Sequence, residues 1–144
     1  MVSDWDGEVR RAVADDRDGV AALAADMAQS FTFSAESFGQ TYQRLLAADD
    51  VSLLVAARGP ERPGYLLGFR HLTFYANGPV AWVEEVAVRR QDRSCGIGRA
   101  MMNAFEDWAG QQNCALVALA TRRAAPFYRA LGYEESAAYF RKLL

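Results

Sequence analysis

The stretch from residue 80 to residue 120 constrains the fold more than any other part of the sequence. Its first nine residues, VAWVEEVAV, have the apolar character of a strand, and a polar segment with two glycines follows them. Residues 96 to about 111 place apolar side chains at the spacing of a helix, and ALVALA, residues 115 to 120, is a short apolar strand. Wholly apolar strands of this length are typical of parallel sheets that are buried on both faces. The order strand, helix, strand is therefore the part of the sequence that most clearly predicts an α/β fold.

The rest of the chain predicts further strands and helices around this unit. Before it we expect a strand at residues 8 to 14 with Val9 and Val13 facing inward, helices at 16 to 28 and 35 to 48, and strands at 51 to 58 and 64 to 75. Asn77-Gly78 predicts a hairpin turn. After the unit we expect a short helix that ends at Gly132 and a last strand, AAYFRKLL. The predicted order, β-α-α-β-β-β-α-β-α-β, describes an α/β fold with a mixed central β-sheet flanked by helices, in a single domain over residues 1–144.

Composition and charge exclude several classes of function. The net charge is −2, so no basic surface for nucleic acid is indicated. No apolar run approaches the roughly 18 residues of a membrane span, and the first residues lack the pattern of a signal peptide. We therefore expect a cytoplasmic protein without nucleic-acid or membrane partners, in which Cys95 and Cys114 are free thiols. The single histidine, His71, rules out a histidine-rich site, and we expect no metal.

The segment RSCGIG, residues 93 to 98, leads into the predicted helix and has the pattern of an anion site. Helix N-termini expose N–H groups and a partial positive charge, and glycine lets an anion approach them closely. Arg93 and Arg99 flank the segment and are suited to phosphate oxygens. The pattern favours a phosphate or pyrophosphate cradle, although Gly96 and Gly98 also have an ordinary structural use at a helix start. A dinucleotide GxGxxG motif would need glycine where Met101 stands, and no P-loop GK[ST] triplet is present.

These residues resemble a known motif. Arg93-Ser94-Cys95-Gly96-Ile97-Gly98 is similar to the acyl-CoA-binding motif Q/R-x-x-G-x-G/A of the GNAT superfamily of N-acetyltransferases. Further on, AAPFYRALGYE resembles the second signature of the same family. The predicted order of helices and strands also resembles that family over nearly the whole chain. The resemblance implies a GNAT acyl-CoA N-acyltransferase fold with acetyl-CoA as co-substrate.

The resemblance also implies which residues hold acetyl-CoA. The backbone of residues 86 to 88 would pair with the pantetheine arm, as an added strand does. Amides between residues 94 and 98 would hold the pyrophosphate together with two arginines. Thr121 stands where the family has an asparagine that contacts pantetheine. The implied cofactor-binding set is therefore Val86, Ala87, Val88, Arg93, Ser94, Cys95, Gly96, Ile97, Gly98, Arg99 and Thr121.

Two adjacent carboxylates, Glu84 and Glu85, interrupt the apolar strand before the loop. An alkylammonium has a pKa of about 10.4, so an amine substrate must lose a proton before it attacks, and a carboxylate can relay that proton through a water molecule. Adjacent residues of a regular strand face opposite ways, but the family is known for a bulge here, which leaves the direction of each side chain open. The resemblance matches Glu84 to the catalytic base, and we expect Glu85 to be a substrate-binding or structural carboxylate. The structural alternative is that these carboxylates pair with arginines such as Arg70.

Three aromatic residues complete the candidate site. The resemblance matches Tyr128 to a tyrosine near the CoA sulfur, where a phenol can protonate the leaving thiolate. The alternative is that Tyr128 packs in the core beside Phe127. Phe31 and Phe33, between the first two helices, are candidates for the wall of the acceptor pocket, and the alternative is that they cap a small core.

The sequence therefore predicts an N-acetyltransferase that moves an acetyl group from acetyl-CoA to a primary amine of a small molecule by direct attack. We expect no covalent enzyme intermediate, because no activated nucleophile is visible. Two alternatives stay open: acetylation of a protein or peptide amine, and a non-catalytic acyl-CoA-binding module. The resemblance also allows a homodimer.

Overall fold

The computed structural model describes residues 5–28 and 30–144, and its centre is a mixed β-sheet. The strands are β1 Glu8–Arg11, β2 Val51–Arg58, β3 Glu61–Thr73, β4 Gly78–Val88 and β5 Val117–Leu119. They lie in the order β1-β2-β3-β4-β5. The first four pair antiparallel with their neighbours, whereas β5 is parallel to β4. This arrangement confirms the mixed sheet expected from the sequence.

Helices cover both faces of this sheet. They are α1 Arg17–Met27, α2 Ala35–Ala47, α3 Ile97–Gln111 and α4 Ala125–Ala130. Val20 and Leu23 of α1 and Tyr42 of α2 pack with Tyr65 and Leu67 on one face of the sheet. On the other face, α3 buries Met101, Met102 and Phe105 against β2, β3 and β4. Within residues 5–28 and 30–144, no helix is long and apolar enough to cross a membrane.

Local signals in the sequence set the ends of the helices. The Ser34 hydroxyl accepts a hydrogen bond from the Ser37 N–H and so caps the start of α2. Gly96 precedes α3 with a φ of 88°, and Gly132 follows α4 with a φ of 96°, both in the left-handed region that favours glycine. Each apolar stripe that the sequence predicts for α1, α2 and α3 faces the sheet.

The hairpin that joins β3 to β4 turns at the predicted Asn77-Gly78 pair, and Asn77 has a φ of 60°. Further along, the register of the two strands shifts: Leu67 lies opposite Glu85, whereas Gly68 lies opposite Val83. Glu84 is therefore the extra residue of a β-bulge on β4. The bulge that the family resemblance led us to expect is confirmed.

The first strand is shorter than predicted. β1 ends at Arg11, and the chain then turns through a 3-10 segment at Ala14–Asp16. The Val13 N–H donates to the Asp16 carboxylate at 2.8 Å, which holds the turn. The Val13 side chain is consequently exposed, and the prediction that it faces inward was wrong.

The predicted last strand does not form. Residues 134–144, which we call the C-terminal arm, contain neither helix nor strand in the part of the chain that the structure describes. Tyr133, just before the arm, is fixed by a hydrogen bond from its hydroxyl to Glu106 at 2.7 Å. From there the arm runs to the loop between α1 and α2, where Arg141 donates to the Ser30 hydroxyl at 3.2 Å. The backbone of AAYFRKLL therefore does not join the sheet. The strand β5 lies at the edge of the sheet and is only half-buried, whereas its apolar sequence predicted burial on both faces.

Candidate active site

An opening between β4 and β5 defines the candidate site. The two strands pair over only three residues, Ala81–Val83 with Val117–Leu119. Beyond Val83, β4 continues to Val88 and still pairs with β3 on its other side. Among the described residues, no strand pairs with the β5-facing edge of residues 84 to 88. This stretch of backbone has the geometry to accept an extended ligand as an added strand.

The chain passes directly from this edge into the glycine loop. Ser94 has a φ of 65° and Gly96 a φ of 88°, so two residues of the loop adopt left-handed conformations. Left-handed residues next to a helix start gather backbone N–H groups into a concave nest that suits an anion. The first turn of α3 follows at once, with its partial positive charge. The backbone of the loop thus has the left-handed residues and the helix start that an anion cradle needs, and the binding of an anion there stays a prediction.

An ion-pair network holds the beginning of this loop. The Arg89 guanidinium donates to Asp92 at 2.6 Å and to Glu61 at 3.0 Å, and the Arg89 N–H donates to the Pro63 carbonyl at 2.8 Å. The hydrogen bond to Asp92 raises the pKa of Arg89. Because Glu61 and Pro63 belong to β3, the network ties the entry of the loop to the sheet. Spacing in the sequence did not reveal the link to β3, since Arg89 and Glu61 lie 28 residues apart.

The arginines that flank the loop are at the surface, as a phosphate site requires. Arg93 is exposed, and its Nε lies 3.4 Å from the Val88 carbonyl at the end of β4. Arg99 lies in the first turn of α3 and is partly exposed. Cys95 is exposed and free. These positions agree with the predicted set, and the roles of the residues stay predictions.

Gly98 has a structural use as well. A Cβ at this position would lie 3.1 Å from the tip of the Phe127 ring, so the missing side chain lets α4 approach α3. Phe127 and Tyr128 pack edge to face with centroids 4.9 Å apart. The structural use of Gly98 is therefore observed, and its part in an anion cradle stays a prediction.

The bulge separates the two glutamates. Glu85 accepts a hydrogen bond from the hydroxyl of Tyr65 at 2.7 Å, and Tyr65 is buried in the layer that α1 and α2 cover. Burial, together with this hydrogen bond, raises the pKa of Tyr65 far above its ordinary value, so its hydroxyl keeps its proton and donates it. Glu84, the bulged residue, is exposed, and its carboxylate makes no hydrogen bond or ion pair within the described residues.

The alternative that the glutamates pair with Arg70 is wrong. Arg70 lies opposite Ala81 of β4, and its guanidinium donates to Asp50 at 2.7 Å and to Gln112 at 3.1 Å. Both partners lie far along the chain from the bulge. Arg70 therefore occupies neither carboxylate of the bulge. Glu85 is bound by Tyr65, and the Glu84 carboxylate is accessible to a ligand.

Tyr128 packs on the same core cluster as Val86, Val88 and Leu119, which line the opening. Its ring also meets Tyr133 edge to face at 6.0 Å. Burial raises the pKa of Tyr128, so the phenol is protonated across the neutral range. The residue thus takes part in core packing, as the alternative expected, and its role as a proton donor to the CoA sulfur stays a prediction.

The remaining predicted residues are Thr121 after β5 and Phe31 and Phe33 in the loop between α1 and α2. Thr121 follows β5, and its hydroxyl accepts a hydrogen bond from the Ala124 N–H at 3.0 Å. Phe33 packs against Phe38 with centroids 5.7 Å apart, whereas Phe31 is 72% exposed. Phe33 therefore joins the aromatic layer of α2, and Phe31 is left at the surface of the α1–α2 loop. Their assignments to pantetheine and acceptor stay predictions.

Comparison with known proteins agrees with this geometry. The sequence profile of the Acetyltransferase (GNAT) family matches residues 20–133. The fold is similar to a crystal structure of a transcriptional regulator from Bacillus halodurans C-125, at 21% identity and a TM-score of 0.86, over 96% of this chain and 99% of that one. It is also similar to glucosamine-6-phosphate N-acetyltransferase from Arabidopsis thaliana, at 18% identity and a TM-score of 0.83, over 94% and 97% of the two chains.

A third similar structure is the aminoglycoside 6'-N-acetyltransferase AAC(6')-IG from Acinetobacter haemolyticus, with 22% identity, a TM-score of 0.77, and coverage of 95% and 99%. No curated protein matches the chain. Because the family profile covers most of the chain, the protein belongs to the GNAT acetyltransferase family. The structural neighbours share its five-stranded mixed sheet flanked by helices.

Proposed function

We propose that this single-domain chain transfers an acetyl group from acetyl-CoA to a primary amine of a small molecule. The observation that carries the proposal is the separation of β4 from β5 after Val83, directly beside the glycine loop. An extended cofactor with a pyrophosphate at one end and a thioester at the other matches an open strand edge that leads into an anion cradle. Membership of the acetyltransferase family supports the same chemistry.

Acetyl-CoA would bind along this path. The backbone of Val86 to Val88 would hydrogen-bond the pantetheine amides, because its β5-facing edge pairs with no strand among the described residues. Amides of residues 94 to 98 would hold the pyrophosphate, with Arg93 and Arg99 beside them. Thr121 would contact pantetheine from the β5 side. The thioester would then lie near the bulge.

The two glutamates would have different roles towards the amine: one would remove its proton, and the other would hold it in place. Glu84 has no protein partner within the described residues, so it is the better candidate for base through a water molecule. Glu85 already accepts a hydrogen bond from Tyr65, which suits a carboxylate that holds the ammonium in place. Glu84→Gln should then shift the onset of the pH–rate profile, whereas Glu85→Gln should mainly raise KM for the amine.

The amine would attack the thioester carbon directly, and the C–S bond would break as the C–N bond forms. Tyr128 would give its phenol proton to the CoA sulfur, and the proton lost by the amine would leave through Glu84. Backbone N–H groups at the open edge of residues 85 to 88 would stabilise the oxyanion. No covalent enzyme intermediate is required.

The acceptor is proposed to be a small amine and not a peptide. Two similar folds belong to proteins named for acetylating glucosamine-6-phosphate and an aminoglycoside, both amino sugars. Two adjacent carboxylates beside the thioester suit a small cationic molecule. Phe31 and Phe33 of the α1–α2 loop would form one wall of the pocket.

Calorimetric titration with acetyl-CoA and with CoA tests the cofactor assignment. We expect both to bind the wild-type protein. Gly96→Ala should weaken binding, because a side chain strains a φ of 88° and crowds the cradle. Gly78→Ala is the matched control, since Gly78 has a φ of 149° and open space around it, and it begins β4 at the end away from the glycine loop. Absence of binding by the wild type would overturn the proposal.

A panel of amines, assayed by the release of free CoA, tests the reaction. Amino sugars, polyamines and a peptide with a free α-amine should be compared at saturating acetyl-CoA. Release that depends on a small amine supports the proposed activity. Release with the peptide alone would establish protein acetylation instead, and tight binding of acetyl-CoA without release for any amine would establish a binding module.

A further inference from the structure

Helix α4, which carries Tyr128, is too short to be stable without support from the rest of the fold. It contains 6 residues, Ala125–Ala130, and isolated helices of this length do not form in water. Its N-cap residue, Ala124, has no side-chain group that could accept a hydrogen bond from the first turn. The position of the Tyr128 ring therefore depends on the contacts that α4 makes with neighbouring elements.

Tyr133, just after α4, makes one such contact. Its hydroxyl donates a hydrogen bond to the Glu106 carboxylate at 2.7 Å, and Glu106 lies on α3. The Tyr133 N–H donates to the Tyr128 carbonyl at 3.0 Å, and the rings of the two tyrosines meet edge to face with centroids 6.0 Å apart. Tyr133 thus joins Glu106 of α3 to Tyr128 of α4 through its side chain and its backbone.

The hydrogen bond between Tyr133 and Glu106 is well suited to fix a position. Both side chains are half-buried, and Tyr133 packs against the apolar core. Burial and this hydrogen bond raise the pKa of Tyr133 far above its ordinary value, so its hydroxyl keeps its proton and donates it. The Glu106 carboxylate has no other hydrogen-bond or ion-pair partner in the part of the chain that the structure describes. Its direction is therefore set by Tyr133.

The helix that carries Glu106 also begins at the glycine loop. Glu106 lies about 14 Å along α3 from the first residue of the helix, at a rise of about 1.5 Å per residue. Near the start of α3, the absence of a side chain at Gly98 leaves room for the Phe127 ring, and further along Glu106 holds Tyr133. Contacts at two points along α3 therefore support α4, and one helix sets the distance between the glycine loop and the Tyr128 phenol.

We propose that Glu106 and Tyr133 are positioning residues for acetyl transfer: their hydrogen bond holds the Tyr128 phenol at the opening where the sulfur of acetyl-CoA would lie. The inference rests on the proposed function, because it takes Tyr128 as the group that gives its proton to the leaving thiolate. Neither residue needs a contact with a substrate. A misplacement of about 1 Å can lower a rate about a hundredfold, so a contact behind the reacting group can control kcat.

Tyr133→Phe removes the hydroxyl, keeps the ring and so tests the hydrogen bond. We expect kcat to fall about tenfold, while the dissociation constant for acetyl-CoA changes by less than about twofold. When Tyr128→Phe is already present, the same substitution should lower kcat by less than about twofold further, because the group that it positions has lost its proton donor. Steady-state kinetics of the two single variants and the double variant measures this difference.

Substitutions of Glu106 test the other end of the hydrogen bond. Glu106→Ala should lower kcat as much as Tyr133→Phe does, whereas Glu106→Gln keeps an acceptor for the Tyr133 hydroxyl and should restore most of the rate. Asp107→Ala is the matched control. Asp107 is the next residue of α3, it is exposed, and its carboxylate makes no hydrogen bond or ion pair within the described residues. Its removal takes away the same charge and should leave kcat unchanged.

NMR of protein with ¹³C-labelled tyrosine rings follows the Tyr128 ring without turnover, and Tyr128→Phe identifies its signal. Glu106→Ala should shift or broaden this signal, whereas Glu106→Gln and Asp107→Ala should leave it in place. The spectra also show whether each variant is folded. A wild-type protein that releases no CoA with any amine would overturn the proposed function, and the Tyr128 signal would then still decide whether Glu106 holds the ring. An unchanged signal in Glu106→Ala would overturn the positioning role.

Three kinetic results would also overturn the inference. The first is a tenfold loss from Tyr133→Phe that persists in full beside Tyr128→Phe, which would mean that Tyr133 acts on the rate by another route. The second is an equal loss of kcat in Glu106→Ala and Asp107→Ala, which would assign the effect to the charge of α3. The third is a Glu106→Ala variant that weakens acetyl-CoA binding as much as it lowers kcat, which would show a general distortion of α3.

Discussion

A single hydroxyl distinguishes the two glutamates of the bulge. Tyr65 is buried, and its hydroxyl lies 2.7 Å from the Glu85 carboxylate. Tyr65→Phe removes this hydrogen bond and little else. Hydrogen bonds to charged groups contribute about 1.5–3 kcal/mol, so we expect KM for the amine to rise by at least about tenfold, with acetyl-CoA affinity unchanged. Steady-state kinetics with both substrates varied measures the two effects separately.

Tyr42→Phe is a close control for that variant. Tyr42 is also buried in the α1–α2 layer, and its hydroxyl donates to the Val13 carbonyl at 2.7 Å. Its loss should cost stability but leave KM for the amine unchanged. Equal changes of KM in Tyr65→Phe and Tyr42→Phe would show that the effect is structural and would refute a positioning role for Tyr65.

A second residue, Tyr128, is expected to act on the rate and not on binding. Its burial raises the pKa of the phenol, so the group holds a transferable proton throughout the neutral range. Tyr128→Phe should lower kcat by about a hundredfold, the lower end of the range for general acid catalysis. The dissociation constant for acetyl-CoA from calorimetry should change by less than about threefold. Equal losses in kcat and in binding would contradict the acid role.

Among the elements, β3 and β4 meet α3 where the sheet is irregular. Gly68 lies beside the bulge, and a Cβ on it would overlap the ring of Phe105. Gly68→Ala should therefore destabilise the fold by about 1–3 kcal/mol, as overpacking of a core does. Urea unfolding followed by circular dichroism measures the change.

Gly39→Ala provides a control in which the stability of the fold should rise and not fall. Gly39 lies within α2, and a Cβ there would meet open space. The substitution should stabilise the fold by about 0.4–1 kcal/mol, because alanine loses less conformational freedom in a helix. A neutral Gly68→Ala next to a stabilising Gly39→Ala would show that Phe105 can move aside.

Helices and strands with a clear periodicity of apolar residues could be predicted from the sequence. Helix α3 begins one residue after the predicted Gly96 and ends at the predicted Gln111, because its apolar stripe and its glycine cap are local signals. The faces of the sheet to which the Glu84 and Glu85 side chains point could not be predicted. Side chains of a regular strand alternate between the two faces, and the bulge interrupts this alternation. The prediction of a last strand was wrong. AAYFRKLL has the composition of a strand, but a strand also needs a neighbouring strand to pair with, and composition does not show whether one is available.

Contacts between residues that are distant in the sequence could not be predicted either. Tyr65 and Glu85 lie 20 residues apart, and Arg62 and Asp16 lie 46 apart. Neither pair belongs to a motif, and each forms only because adjacent elements of the fold bring its members together. The glycine loop, whose residues are contiguous, was the part of the candidate site that the sequence described best.

At the scale of the whole molecule, one buried carboxylate ties together β1, the turn before α1, and β3. Asp16 is 1% exposed, and it accepts hydrogen bonds from Arg10 at 2.8 Å, from Arg62 at 2.6 Å and from the Val13 N–H at 2.8 Å. The hydrogen bonds from Arg10 hold the pKa of Asp16 well below its usual range. Removing one partner of a buried ion pair costs about 3–5 kcal/mol, so Asp16→Asn should destabilise the protein by that amount at pH 7.

The same carboxylate sets the direction of a pH dependence. A carboxyl group with a lowered pKa in the folded state stabilises the fold fully above its unfolded pKa of about 3.9 and progressively less as the pH falls towards the folded value. The free energy of unfolding of the wild type should therefore fall between about pH 5 and pH 3, and the difference from Asp16→Asn should narrow over the same interval. Urea unfolding at several pH values measures both curves. Parallel curves would mean that acid destabilisation comes from other carboxylates, such as Glu61, whose pKa is lowered mainly by its hydrogen bond from Arg89.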